Sequence, residues 1–436
     1  MKTVSDLFVL RDEQGPILYA PLNVAAARVN ESGLAAVAKY LRGETLSPDE
    51  SDVIGMLAQY KLFEPGVIPV NPERFMPVHV TLFPTDGCNL RCRYCYAGAE
   101  KIRHKMSVAA GRAAIDLVAE NAREVGRDNF LVGFHGNGEP FCAYDRIREF
   151  CEYTQFRAEI TGIRGNINTA TNGVLNDEQI DFCLAFFSNI NVSFDGLPEL
   201  QNRQRPFPDG SGSFDAVDHT LKRFDEGGLS FGIRATLTTD SVDALEDVAM
   251  FISERYPHCS QLHLEPAWEC GRCLTTGEHT PDVDVFIRKY LSAQDKLEGK
   301  YLKLVYSGAR QDLIINSFCS VCRGSFTVTS EGYVTACYEV CEKSDPRSER
   351  YFYGSFDENA GCYVFDQQKM DALGRLNVEN MDNCRDCFCR WHCAGDCSAK
   401  LLGMKEPEEH EGSARCLINR ALTLRQLQKR MREREE

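Results

Sequence analysis

The sequence predicts an α/β protein built on a parallel sheet, and three observations predict it. Strand-like and helix-like segments alternate from residue 77 to 266; three cysteines crowd into residues 88–95, just after the first strand-like segment; ten more lie between 319 and 397. Strands joined through helices imply right-handed crossovers and parallel pairing. Clustered thiols in that setting imply bound metal rather than core packing.

The chain has 436 residues, enough for two or three domains and a large core. In order, residues 7–10 and 17–20 are short apolar runs flanking a 12–15 turn, a plausible hairpin. Leu34, Val37, Ala38 and Leu41 then recur at helical spacing up to Gly43. Ser47, Pro48 and Glu50 offer a cap, a first-turn proline and a capping-box partner for a second helix through Val53, Ile54 and Leu57. Short strands plus helices suggest a winged-helix-like module over residues 1–74. Its seven Lys+Arg against ten Asp+Glu argue against DNA binding.

Strand candidates follow at 78–83, 130–135, 165–169, 190–194, 232–237 and 261–264, with helical stretches such as 108–122, 178–186, 214–224 and 244–252 between them. An amphipathic helix over 282–296 leads out of this region, and the last segment, 416–436, reads as a charged, fraying helix.

A net charge of −15 leaves no basic face for a phosphate backbone, so nucleic acid is not an expected partner. No run of roughly 18 or more apolar residues appears, so no membrane span is expected. The first residues lack the basic and apolar regions of a secretory signal. Twenty cysteines without that signal fit a reducing, cytoplasmic setting in which thiols ligate metal or react. Cys142, Cys151, Cys183 and Cys259 stand alone and read as buried small apolar residues.

In Cys88-Asn89-Leu90-Arg91-Cys92-Arg93-Tyr94-Cys95, gaps of three and two let one loop wrap a compact metal centre. Three thiolates are one short of a full set. Zinc would need His104 or a distant cysteine, and structural zinc sites usually show two paired knuckles. Bacterial electron carriers use gaps of two and two. A four-iron cluster with one open iron fits best.

With Tyr94 before its last thiol, this motif resembles that of the radical S-adenosylmethionine (radical SAM) enzymes. The resemblance implies S-adenosyl-L-methionine chelated at the open iron, reductive cleavage to a 5′-deoxyadenosyl radical, and hydrogen abstraction from an unactivated position, with a flavodoxin- or ferredoxin-type reductant as partner. Six strand–helix units match the family's open barrel, whose site lies at the C-terminal strand ends. Residues 134–140, with Gly136, Gly138 and Glu139, resemble the glycine-rich motif after the second strand; there glycines let backbone approach the ligand and Glu139 would accept from the SAM ammonium. Asn137 stands where a glycine is usual. Thr171-Asn172-Gly173 and Ser193-Phe194-Asp195-Gly196, running on to Arg205, also match; Ser193 and Arg205 would hold the SAM carboxylate or ribose, with Asp195 structural. Cys270 and Cys273, after Glu265-Pro266, form a possible half metal site but read better as free thiols.

From Cys322 the spacing is nine residues, Gly332, four residues and Cys337, then Cys384, Cys387, Cys393 and Cys397 with gaps of two, five and three, then Cys416. This is similar to the SPASM extension, which carries two auxiliary four-iron clusters. The resemblance implies Cys322, Cys337 and Cys397 on the nearer cluster, with Cys319 as its fourth ligand or an open iron in its place, and Cys384, Cys387, Cys393 and Cys416 on the outer one. Cys341, Cys362 and Cys389 have no slot. The N-terminal module resembles the peptide-recognition element of enzymes that modify ribosomally made peptides, where a leader adds a strand to a sheet edge; a capping or dimerising role is the alternative.

The expected architecture is therefore α/β: a partial (β/α)6 radical SAM barrel over 75–300, after a winged-helix-like module over 1–74 and before a Cys-rich SPASM iron–sulfur domain over 301–436. The expected activity is radical modification of a precursor peptide or protein, such as a crosslink at an unactivated carbon, with three [4Fe–4S] clusters. Two rivals remain. One is the anaerobic sulfatase-maturating enzyme, which forms formylglycine and carries an aspartate where this chain has Tyr338. The other is a non-catalytic iron–sulfur carrier or scaffold, which would leave Glu139, Ser193 and Arg205 without a purpose.

Overall fold

The computed structural model describes residues 6–70, 74–319, 321 and 325–435. The chain divides into two units: Met1–Asn71 with Gly308–Cys319 and Leu376–Glu436, and Pro72–Ser307 with Ser320–Arg375. Residues of the expected 301–436 domain thus fall in both units, and residues 1–70, expected to stand apart, share a unit with the C-terminal segment.

In the first unit, β1 (Phe8–Asp12), β2 (Gly15–Ala20) and β3 (Ala25–Arg28) form an antiparallel sheet in the order β1-β2-β3. β1 and β2 are the expected hairpin. β3 is a run of three alanines and an arginine with no strand propensity of its own; pairing with β2, Ile17 to Arg28 through Ala20 to Ala25, makes it a strand. α1 (Glu31–Arg42) starts under Asn30, whose side chain accepts from the Gly33 amide, and ends at Gly43 with φ +75°. α2 (Pro48–Gln59) carries the Ser47/Glu50 capping box. Leu18 packs with Val37, Ile54, Leu57 and Leu62 on one face of β2. Ile17 and Tyr19, on its other face, pack with Leu427 and Met431 of the long terminal helix. That helix is ordered against the sheet rather than fraying as expected.

The second unit carries an eleven-stranded sheet. Its elements begin with β4 (His79–Leu82), α3 (Val108–Glu124), β5 (Asn129–Phe134), α4 (Tyr144–Thr161), β6 (Arg164–Thr171) and α5 (Asp177–Phe186). They continue with β7 (Asn189–Ser193), α6 (Pro198–Gln204), α7 (Phe214–Glu226), β8 (Phe231–Leu237), α8 (Leu245–Arg255) and β9 (Gln261–Pro266). After α9 (Cys273–Thr276) and α10 (Val283–Lys296) come β10 (Lys303–Val305), β11 (Thr327–Val328), β12 (Tyr333–Thr335), α11 (Ser348–Tyr351), β13 (Phe352–Asp357), β14 (Cys362–Phe365) and α12 (Gln367–Gly374). The strand order is β10-β9-β8-β7-β6-β5-β4-β11-β12-β13-β14. β4 to β9 are the six expected strands, each parallel to the next. β10 extends the parallel run beyond β9, β11 joins β4 in parallel, and β11 to β14 form an antiparallel extension. These additions are two to six residues long, too short to show a periodicity. One face of the parallel strands, with Val80, Leu82, Val132, Phe134, Val192 and Ile233 at 0–1 % exposure, is buried against the helices.

In the first unit the rest of the chain is short: α13 (Arg390–Cys393) and α14 (Ser398–Leu401) among loops, then α15 (Arg415–Glu435). Among the described residues no helix is long and apolar enough to cross a membrane.

Candidate active site

Every residue predicted to touch SAM or the first cluster lies in the second unit, at the C-terminal ends of β4 to β7 or in the loops that follow them. The cysteine loop leaves β4 and is pinned on two sides. On one, the Arg91 and Arg93 amides donate to the Pro206 and Gln204 carbonyls at 2.8 and 2.9 Å. On the other, the loop after β9 serves as a clamp. The Arg272 amide donates to the Cys95 carbonyl at 2.9 Å, and its guanidinium to the Cys92 and Ala99 carbonyls at 3.0 and 3.1 Å. The Thr276 hydroxyl donates to the Arg93 carbonyl at 2.7 Å. Gly271 has φ +55°, and a Cβ there would meet the Cys95 carbonyl oxygen at 2.4 Å, so only glycine permits this approach. The Cys-x-x-Cys signal at 270–273 therefore marks a real feature, but its working part is the Gly-Arg pair between the thiols.

The glycine-rich loop after β5 closes on the same loop. A Cβ on Gly138 would lie 2.2 Å from the Gly87 carbonyl oxygen, and the Glu139 amide donates to that carbonyl at 2.8 Å. The Glu139 carboxylate accepts from the Thr171 hydroxyl at 2.7 Å, the Asn172 amide at 2.6 Å and the Phe141 amide at 3.1 Å. Burial nevertheless raises its pKa to about 7. A cation beside it would restore the charge. Asn172 reaches back with its side-chain amide to Asn89 Oδ1 at 2.7 Å and Cys88 Sγ at 3.8 Å. Asn137, at the unusual position in the motif, is directed to Glu342 at 3.3 Å.

Asp195 after β7 accepts from the Tyr94 hydroxyl, from Arg205 Nε at 3.1 Å and from the Thr236 amide at 3.2 Å. The Arg205 guanidinium lies 5.2 Å over the Tyr94 ring, with Nη1 3.9 Å from Cys92 Sγ. Asp195 is structural, as expected, and Tyr94 and Arg205 are bound to it. Ser193, the last residue of β7, is half-buried. The roles of Thr171 and Asn172 as the link from β6 to both loops carried no sequence signal beyond the motif they sit in. His104, the candidate zinc partner, instead places Nδ1 2.9 Å from Asp86 Oδ2.

Residues 82–252 match the family model described as the radical SAM superfamily. They form a radical SAM domain. Over 345 residues the chain is 22% identical to a cysteine-type anaerobic sulfatase-maturating enzyme of Clostridium perfringens, covering 74% of this chain and 89% of that one. It is 20% identical over 281 residues to the sporulation killing factor maturation protein SkfB of Bacillus subtilis, 61% of each. Among solved structures, native anSMEcpe with bound AdoMet superposes with a TM-score of 0.62 at 17% identity, covering 80% of this chain and 98% of that one. Streptococcus suis SuiB bound to precursor peptide SuiA gives 0.55 at 16% identity, covering 95% and 99%. These similarities show a shared fold.

A radical SAM domain implies SAM and a [4Fe–4S] cluster, and the donor set fits both. Burial pushes the Cys88 and Cys92 thiols up to about 12, so they ionise only beside a strong cation such as iron. Leu90 N–H, Asn172 and Arg205 are aimed at the sulfurs. Among the described residues no group of three or more His, Cys, Asp or Glu side chains closes on a single metal ion.

In the first unit Cys384, Cys387, Cys393 and Cys416 line one cavity with Cys389, Asn419 and His410. A hydrogen bond from Cys389 lowers the Cys387 thiol, with Arg420 adding to it, while burial pushes Cys384 up to about 12. The Asn419 side-chain amide donates to Cys393 Sγ at 2.9 Å. His410 is 5% exposed, yet its Nε2 and Asn419 Oδ1 have no hydrogen-bond partner among the described residues. Four thiols and orphaned polar atoms around one cavity fit an absent polar group. Of the nearer set, Cys319 and Cys397 lie in this unit and Cys337 in the other; Cys322 lies outside the described residues. Cys341 is buried, donating to the Tyr338 carbonyl at 2.7 Å, and Cys362 is exposed on β14.

Proposed function

We propose that the chain is a radical SAM/SPASM enzyme that modifies a ribosomally made peptide or protein, forming a crosslink such as a thioether or a carbon–carbon bond at an unactivated carbon. The observation that supports this reading is the network joining Glu139, Thr171 and Asn172 to Cys88, with a buried carboxylate beside the three-cysteine loop. When bound, the cluster and SAM supply hydrogen-atom abstraction. The chain's residues bind and aim: Cys88, Cys92 and Cys95 ligate iron; Glu139 accepts the SAM ammonium; Ser193 and Arg205 hold its carboxylate or ribose; Gly136 and Gly138 let backbone approach; Tyr94 braces Arg205.

Cys384, Cys387, Cys393 and Cys416 ligate an outer auxiliary cluster. The spacing of Cys322, Cys337 and Cys397 supports a second, nearer cluster, with Cys319 as its fourth ligand or an open iron in its place. A peptide substrate is supported by the likeness to SkfB and to SuiB with its precursor peptide, and by a three-stranded sheet with β1 and β3 at its edges. The likeness to the sulfatase-maturating enzyme favours formylglycine formation as a second reading. Against it, the residue after Cys337 is Tyr338, whose hydroxyl lies 2.9 Å from Thr81 Oγ1 and whose ring stacks on His135 at 4.8 Å, so the position offers no carboxylate base.

Co-expression with short open reading frames beside its gene, followed by mass spectrometry, tests the proposal. Loss of two hydrogens with a new internal link supports it; an aldehyde at a cysteine or serine favours formylglycine formation.

A further inference from the structure

Along β4 to β9, away from each strand's first residue, only Arg234 is exposed. Its neighbours Ile233 and Ala235 are 0% exposed on the helix-covered face, so alternation turns Arg234 to the opposite face of the sheet. Register places Ser193 on β7 and His263 on β9 directly beside it, making a row of three polar side chains at the end of the sheet that carries the SAM loops. One row below, Gln261 reaches over Gly232 to Asn191 Oδ1 at 3.4 Å, a polar floor under the arginine. At the inward positions of these strands the one carboxylate is Glu265, which accepts from His263 at 2.8 Å and from the Ser307 amide at 2.9 Å. The Arg234 guanidinium makes no hydrogen bond or ion pair among the described residues, although its charge reaches His135 at the end of β5.

We propose that Arg234 is a recognition residue for a carboxylate of the substrate, held on this face beside SAM. The inference rests on the peptide-modifying reading, because in a peptide the anion is an Asp or Glu side chain or the C-terminal carboxylate. A guanidinium grips either in two parallel hydrogen bonds. A solvated arginine on an outer surface would need no such row, whereas this one lies beside Ser193 at the strand ends that carry the predicted SAM loops. Arg205 does not duplicate it, since its Nε is committed to Asp195.

The test uses the full, cluster-reconstituted chain with SAM and three probes followed by saturation-transfer NMR: N-acetyl-aspartate N-methylamide, N-acetyl-alanine and N-acetyl-asparagine N-methylamide. The parent protein is expected to bind one of the two carboxylates roughly tenfold more tightly than the asparagine probe, the favoured one identifying side chain or C-terminus, and Arg234→Gln to erase that preference. Equal binding or no binding of all three by the parent, or a preference that survives in Arg234→Gln, overturns the proposal. So does a tenfold loss of SAM affinity in Arg234→Gln, which would assign Arg234 to the cofactor. Failure of the underlying reading shows separately, as absence of any mass change in peptides co-expressed with the parent chain.

Discussion

The two cysteine regions are held in different ways. The loop of Cys88, Cys92 and Cys95 is fixed by backbone and side-chain bonds from residues more than a hundred positions away, among them Gln204, Pro206, Arg272 and Thr276. Its shape belongs to the α/β scaffold. Cys384 and Cys393 sit instead on two short helical turns, Asp382–Cys384 and Arg390–Cys393, with Cys387 between the turns and Cys416 at the start of α15, and orphaned buried polar atoms lie beside them. Four thiols in so little regular structure would take their order from a bound metal, as small metal-bound modules do.

Metal removal breaks or sharpens that contrast, and the effect should be the largest of those expected. After anaerobic chelation, amide exchange should accelerate throughout residues 376–416 while β5 to β8 keep their protection. Equal loss in both regions would mean that the cysteine loop of the second unit is no better scaffolded than the outer set.

A smaller effect isolates the scaffolded site. Glu139→Ala removes an acceptor from three donors and from the proposed ammonium, and should weaken SAM binding by roughly 1.5–3 kcal/mol, measured by equilibrium dialysis. Unchanged affinity would remove Glu139 from the site.

The smallest effect is one of pH. Burial raises the Glu139 carboxylate to about 7, so its protonated form is favoured below that pH and its ionised form, the one that holds a cation, above it. SAM affinity should therefore fall as pH drops through 7, by roughly tenfold between pH 8 and pH 6, and the dependence should vanish in Glu139→Gln.

How much was legible follows from the same contrast. The six parallel strands, the capping box at Ser47 and the loop motifs were readable, because each is a local pattern of period, cap or spacing. β3 was not, since an alanine run becomes a strand only beside β2. Nor was the packing of α15, whose charged sequence hides Leu427 and Met431 on the face that meets Ile17 and Tyr19. In the site, thiols, glycines and Glu139 announced themselves by type. Arg272 did not, and Asn172 was marked only by its motif and not by its role, because one guanidinium bridging two carbonyls and one amide spanning two loops are made by tertiary approach alone.

The most direct test of the account is whether the anaerobically reconstituted chain, given reductant and SAM, forms 5′-deoxyadenosine, and whether Cys88→Ala/Cys92→Ala/Cys95→Ala abolishes that product while removing only about four of roughly twelve irons. The account predicts product from the parent, none from the triple variant, and retention of the remaining iron. Product from the triple variant, or a parent iron content near four, would contradict it.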